Sequence, residues 1–258
     1  MARDPLAHCT LAKLSSSAIA TYRDARLQEV APATVVRELS LMQTALETAT
    51  REWGIPLPRN PVAIIRRPIV RNERKRRLHG DEEARLLAAA KAARSDWITP
   101  VIVIAIETGM RRSELLALTW ADIDLVDRVA HVRHSKNGEP REVPLSRRSV
   151  QILHDLRRDR VECGDIESAD GAFVFPFTAT LVRLAFERLR SRAGVPDLRF
   201  HDLRREGITR FIERGLNLIE ASAISGHRDL RMLKRYVVPS RAALLAKFDR
   251  AEAEFRTP

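Results

Sequence analysis

Within 36 residues near the end of this 258-residue chain lie four groups able to bind or attack a phosphate: His201, Arg204, His227 and Tyr236. The chain holds only two tyrosines and seven histidines, so the cluster is not a by-product of abundance. Upstream, Arg111 in the stretch Thr108-Gly109-Met110-Arg111-Arg112-Ser113-Glu114 and Lys136, just before Asn137-Gly138, add two more cations. Cutting a phosphodiester without a metal gathers negative charge on the non-bridging oxygens, so fixed donors must be aimed there. Arginine forks suit that task because they stay charged and bind bidentately. A nucleophile must lose a proton, and the departing sugar oxygen must gain one. A candidate for every role is present.

Taken singly, each residue also has an ordinary reading. Arg111 reads more readily as a surface cation, and Arg112 points to another face of the same helix. His201 and Arg204, three apart, share one helix face; they serve equally as a phosphate pair or as a helix-start histidine with a solvent arginine. His227, after Gly226 at a helix–turn boundary, is more often a structural histidine. Lys136 has the usual role of a turn lysine, and Tyr236 that of a core aromatic. Lys136 gains weight from rarity: 39 of the 45 basic residues are Arg and six are Lys, and only Lys gives up a proton readily.

Apolar spacing outlines the elements that must hold these groups. Leu14, Ile19, Tyr22 and Leu27 mark a helix over 11–31. Val35, Leu39, Met42, Leu46 and Ala49 mark a second, amphipathic helix over 34–53, stopped by Gly54 and the prolines that follow. Gly80-Asp81-Glu82-Glu83 opens a helix leading into Leu86. The apolar run from Pro100 to Met110 predicts a buried helix that continues through 111–118. Period-two patterning at 124–126, 129–134 and 139–145, with the Asn137-Gly138 turn, predicts a small antiparallel sheet. From Ser149 onward the pattern is helical, and 241–256 forms an amphipathic tail helix with Leu244, Leu245, Phe248, Ala251 and Phe255 on one side. The expected class is mainly α with a small antiparallel β-sheet, α+β.

Arg66, Arg67, Arg71, Arg74, Lys75, Arg76 and Arg77 crowd a 12-residue stretch. It reads as a solvated linker that would also lie along a DNA backbone. The domains are therefore placed at 1–70, a basic linker at 71–78, and 79–258. A formal charge of +11 and an isoelectric point near 10.6 suggest a polyanionic partner, most simply nucleic acid. Residues 1–77 carry 14 basic against 7 acidic side chains. Cys9 and Cys163 lack companions at metal-ligand spacing, and no apolar run reaches membrane-span length. A soluble, cytoplasmic, nucleoid-associated protein is expected.

Arg111, Lys136, His201 with Arg204, Gly226-His227 and Tyr236 occur in the order that resembles the tyrosine recombinases, the phage-integrase-like site-specific recombinases. The local text (TGMRRSELLALTWADID, FHDLRREGITRF, ISGHRDLRMLKRY) and the nine-residue step from His227 to Tyr236 carry the resemblance as well. It covers about 78–240 as catalytic domain, with 11–70 similar to most of the helical core-binding domain, its first helix missing. The resemblance implies a clamp on duplex DNA, with Arg111, His201, Arg204 and His227 around the scissile phosphate. His201 would help to deprotonate Tyr236, and Lys136 would protonate the 5′-oxygen. Tyr236 would form a 3′-phosphotyrosyl link, with neither metal, ATP nor other cofactor. Four protomers, monomeric when free, would exchange strands on synapsed DNA. Arg205, Glu206 and Ser225 depart from common family residues outside the six catalytic positions. Two other readings remain: a type IB topoisomerase-like enzyme, and a non-catalytic DNA-binding regulator with the inherited fold.

Overall fold

Ser15 accepts a hydrogen bond from the Ala18 amide at 3.2 Å and starts the first helix, α1 (Ser16–Glu29). Helix α2 (Pro32–Glu52) follows with a proline at its first position, where the missing amide costs nothing. Asn60 caps the short α3 (Pro61–Ile64) by accepting from the Val62 amide at 3.0 Å. The structure, a computed structural model, describes residues 5–57, 59–70, 74, 76–93, 97–133, 139–162, 171–233, 245 and 248–249. The chain divides into two compact units, Met1–Lys75 and Arg76–Pro258.

In the first unit Ile19, Val35, Leu39, Leu46 and Val62 form the core, with Leu14, Leu27 and Met42 partly buried against it. Tyr22 is buried and donates to Glu38 at 2.8 Å. Burial, then the bond to Glu38, pushes its phenol up to about 12. One expected boundary moves. Residues 11–13 form a separate 3₁₀ turn, because Ser15 satisfies the helix start better as a cap than as an interior residue.

The second unit contains α4 (Glu82–Ala92), α5 (Ile98–Thr108), α6 (Arg112–Leu116), β1 (Ile123–Asp124), β2 (Val129–Val132), β3 (Arg141–Pro144), α7 (Arg147–Glu162), α8 (Ala179–Arg192), α9 (Phe200–Glu213) and α10 (Leu218–Ser225). The strands form one antiparallel sheet in the order β1-β2-β3, with Ala130 opposite Val143. Helix α5 is apolar on all sides and is surrounded accordingly: residues 101–106 are 0–1% exposed, against α4, α7, α8 and α9. Mainly α with a small antiparallel sheet is thus the observed class.

The helix expected to run on to residue 118 instead ends at Gly109, which adopts φ 59° and caps α5 in the left-handed region. Helix α6 starts afresh three residues later, and that break places Arg111 outside both helices. Helix α9 crosses α5 at the same level. A Cβ on Gly207 would stand 2.2 Å from the Ile106 carbonyl oxygen and 3.1 Å from the Gly109 nitrogen. Only glycine lets the two backbones approach so closely. The Asn137-Gly138 turn lies outside the described residues, as does most of 241–256, where Leu245 and Phe248 are described as helical and exposed. No helix among the described residues is long and apolar enough to cross a membrane.

Candidate active site

Arg111 occupies the N-cap of α6 with extended backbone, φ −69° and ψ 147°. Glu114, one turn later, accepts from the Arg111 amide at 2.8 Å and from its Nη1 at 2.7 Å. One carboxylate therefore satisfies an open amide of the helix start and holds the arginine side chain.

The end of α10 supplies the opposing anchor. The last carbonyls of a helix have no intrahelical partner and carry partial negative charge. Here three successive carbonyls each accept from a different guanidinium. Ile224 O accepts from Arg141 Nε at 2.8 Å, Ser225 O from Arg204 Nη2 at 2.7 Å, and Gly226 O from Arg111 Nη2 at 3.2 Å. Arg204 also donates Nη1 to Gly109 O at 2.7 Å, so the α5 cap and the α10 terminus together fix its plane. Gly226 holds φ +68°, and a Cβ there would lie 3.1 Å from the Arg141 guanidinium carbon. Glycine suits that backbone, and any Cβ there would press on the Arg141 guanidinium.

Three arginines this close repel one another, and Glu114 offsets part of that cost. Arg141 donates to it at 2.7 and 3.2 Å, and Arg204 lies 3.9 Å away. Glu114 is 3% exposed. Burial alone would raise its carboxyl pKa, but the hydrogen bonds from Arg141 and from the Arg111 amide and side chain outweigh it and hold the value below the ordinary range. Arg204 is 4% exposed.

His227 takes its tautomer from Ser225. The Ser225 hydroxyl donates to Ala221 O at 2.6 Å, which leaves its oxygen to accept from His227 Nδ1 at 2.7 Å. The proton of the neutral ring therefore sits on Nδ1, an assignment made from the network. Arg204 Nη2 also approaches Nδ1, at 3.5 Å. That contact is donor against donor, so the short bond to Ser225 O is the meaningful one for Arg204. The Ser222 hydroxyl holds the His227 carbonyl in turn.

His201 stands in the first turn of α9, one turn from Arg204, and is exposed. The protein packed around its ring, then the Arg204 charge, then Arg205 and Arg111, lower its pKa, against a smaller opposing pull from Asp202.

Four of the six expected catalytic residues are thus described. Arg111, Arg204 and His227 meet around the α10 terminus, and His201 shares the helix of Arg204. Lys136 and Tyr236 lie outside the described residues. Of the basic stretch, Arg71 and Lys75 also lie outside. Arg66 is exposed, while Arg67 donates to Ser40 at 2.7 Å and to Gln43 within the first unit. Arg74 is half-buried. Arg76 is tied to Glu82 at 2.7 Å and Asp197 at 2.8 Å, and Arg77 to Glu206 at 3.2 Å and Glu213 at 2.7 Å. The last two are committed to carboxylates of the second unit rather than solvated.

Reading the residues singly left Arg141 and Ser225 without roles, and Glu114 was noted only as a helix residue. Glu114 had a local signal, since an acid three residues after a helix start can close a capping box. Arg141 had none, because its partners are 27 and 83 positions away.

Residues 76–242 match the phage integrase family. Over 256 residues the chain is 39% identical to a shufflon-specific DNA recombinase of Escherichia coli, covering 96% of this chain and 64% of that relative, so it spans about two thirds of the relative's length. The structure resembles that of the Tn1549 transposon integrase in complex with a circular intermediate DNA, with TM-score 0.73 and 21% identity over 94% of this chain and 87% of that one. It also resembles lambda integrase, solved as a tetramer bound to a Holliday junction, with TM-score 0.63 and 25% identity over 84% and 65%.

Proposed function

This chain belongs to the phage integrase family of tyrosine recombinases, and from that premise we propose that it cuts and rejoins duplex DNA site-specifically through a covalent phosphotyrosyl intermediate. The observation that carries the reading is the convergence of Arg111 and Arg204 on neighbouring carbonyls of Gly226 and Ser225. Two guanidiniums pre-set side by side, with His227 directly after them, suit the paired oxygens of one phosphate.

In this reading the Tyr236 oxygen attacks the phosphorus and its phenolic proton passes to neutral His201. The bond to the 5′-oxygen breaks; that oxygen leaves with the bonding pair and takes a proton from Lys136. The strand is left joined to Tyr236 through its 3′-phosphate. Attack by a 5′-hydroxyl reverses each transfer, so the energy of the cut bond is kept and no metal or ATP is consumed. Arg111, Arg204 and His227 stabilise the charge on the non-bridging oxygens in both directions. DNA is the substrate, and protomers act as a tetramer on two paired duplexes. The likeness to lambda integrase on a Holliday junction supports that assembly. Arg66, Arg67, Arg71, Arg74 and Lys75 contribute cationic surface to the DNA backbone, and residues 1–70 act as the core-binding domain ahead of the basic linker.

The test is covalent trapping on a random library of nicked duplexes. The wild-type chain forms adducts in EDTA, and Tyr236→Phe binds DNA but forms none. Adducts made by Tyr236→Phe would remove the nucleophile assignment, and loss of cleavage in EDTA would indicate a metal nuclease. Sequence-independent relaxation of supercoiled plasmid by a monomer would favour a topoisomerase.

A further inference from the structure

Between α8 and α9 lies a cleft that adjoins the catalytic site and shares His201 and Arg204 with it. Met110, Phe186 and Phe200 form its apolar floor, with the two phenylalanine rings edge to face at 5.4 Å. Its rim carries five guanidiniums (Arg112, Arg183, Arg190, Arg199 and Arg204) and a single carboxylate, Glu187. That carboxylate is already paired with Arg183 at 2.9 Å.

Two of these arginines are unexplained by folding. Arg112 is half-buried on α6 and makes no hydrogen bond or ion pair among the described residues. Arg190 uses Nη1 to hold Leu198 O at 2.8 Å, yet its Nε is buried with no partner. A buried donor without an acceptor is costly. An arginine-rich cleft with one neutralised acid calls for an anion.

We propose that this cleft is a second phosphate seat, which holds a backbone phosphodiester flanking the scissile one on the same DNA strand. The inference rests on the recombinase reading above. Arg204 belongs to both places: it is fixed at the α10 terminus and also lines the cleft, so the two seats adjoin. Arg183 and Arg190 lie two helical turns apart, about 10 Å at 1.5 Å per residue. Measured along the duplex axis, one DNA strand advances about 3.4 Å per phosphate. The rim is therefore long enough to follow the strand past a single phosphate. Seating the flanking phosphate aligns the scissile phosphorus for in-line attack, an ordering effect separate from charge stabilisation at the reacting atoms.

Arg112→Gln is the informative variant, because Arg112 holds no other element in place among the described residues. Arg183→Gln is the second, since its one pairing is exposed. Both are made in the Tyr236→Phe background, so that binding is read without cleavage. Each is expected to lower the slope of log affinity against log salt by about 0.9, the signature of one lost phosphate contact. On a duplex recovered by trapping, neutral methylphosphonates are then placed one at a time near the scissile position. One flanking substitution is expected to weaken binding of the parent and to have no further effect on Arg112→Gln. Unchanged salt slopes in both variants, or methylphosphonate penalties that all add to that of Arg112→Gln, would overturn the seat. The salt slopes are measurable on any duplex. Failure of wild-type trapping would therefore count against the recombinase reading, and unchanged slopes against the cleft.

Discussion

Gly207 lies so close to α5 that a Cβ on it would stand 2.2 Å from the carbonyl oxygen of Ile106. The contact is backbone on one side, so no side-chain rotation relieves it. Gly207→Ala is expected to destabilise the second unit by at least the roughly 1–3 kcal/mol typical of overpacking, read as a lower urea midpoint. Because Arg204 sits one turn away and bonds Gly109 O, adduct formation should fall further than stability accounts for. Wild-type stability in Gly207→Ala would show that the helices separate freely.

Glu114 is the shared counter-charge of Arg111 and Arg141. Glu114→Gln keeps the shape and leaves two enclosed guanidiniums without an anion, at a cost of roughly 3–5 kcal/mol. The folded carboxyl has a lowered pKa. Its stabilisation is therefore complete above the ordinary carboxylate range and is lost as pH falls through the lower folded value. Urea unfolding over a pH series should show a shallower acid-side loss in Glu114→Gln than in wild type. Identical acid limbs would contradict this.

Ser225 fixes the proton of His227 on Nδ1. Ser225→Ala removes the acceptor and is expected to cost about 1 kcal/mol of stability, with a larger proportional loss in adduct rate because the imidazole can rotate or change tautomer. Ser225→Thr should restore most of the rate. Nitrogen shifts of the His227 ring, measured by NMR, check the tautomer directly: the wild type should show a protonated Nδ1, and the alanine variant a mixture.

In the proposed role of proton acceptor His201 must be neutral, and its surroundings lower its pKa below the ordinary 6.5. The rate of adduct formation is therefore expected to rise with pH through an inflection below 6.5 and to be level near pH 7. His201→Gln should lose that inflection and about 10²–10⁴ in rate, the usual worth of a general base. An inflection retained in the glutamine variant would assign it to another group.

Local pattern was enough for the helical and strand content, because apolar spacing reports which face of an element is buried. Of the predicted stripe Val35, Leu39, Met42, Leu46 and Ala49, all are buried except Met42, which is partly buried. Where the helix over 100–118 breaks was not legible, since the choice between continuing and ending at Gly109 depends on the backbone of α9 crossing there. Arg76 and Arg77 show the same limit. Their charge suggested a solvated linker, but whether a cation faces water or a carboxylate depends on partners as distant as Glu206 and Glu213.

Residue types and their order along the chain point to phosphate-cleaving chemistry, because such a site needs a particular set of donors, a base and a nucleophile, and few other uses require that set together. Those same letters say nothing of how like charges are made to coexist. That was settled by folding, which brings Glu114 and three consecutive carbonyls of the α10 terminus against Arg111, Arg141 and Arg204. The reason is physical: a guanidinium's partners are chosen by distance in space, and the groups that hold these arginines are up to 115 positions away.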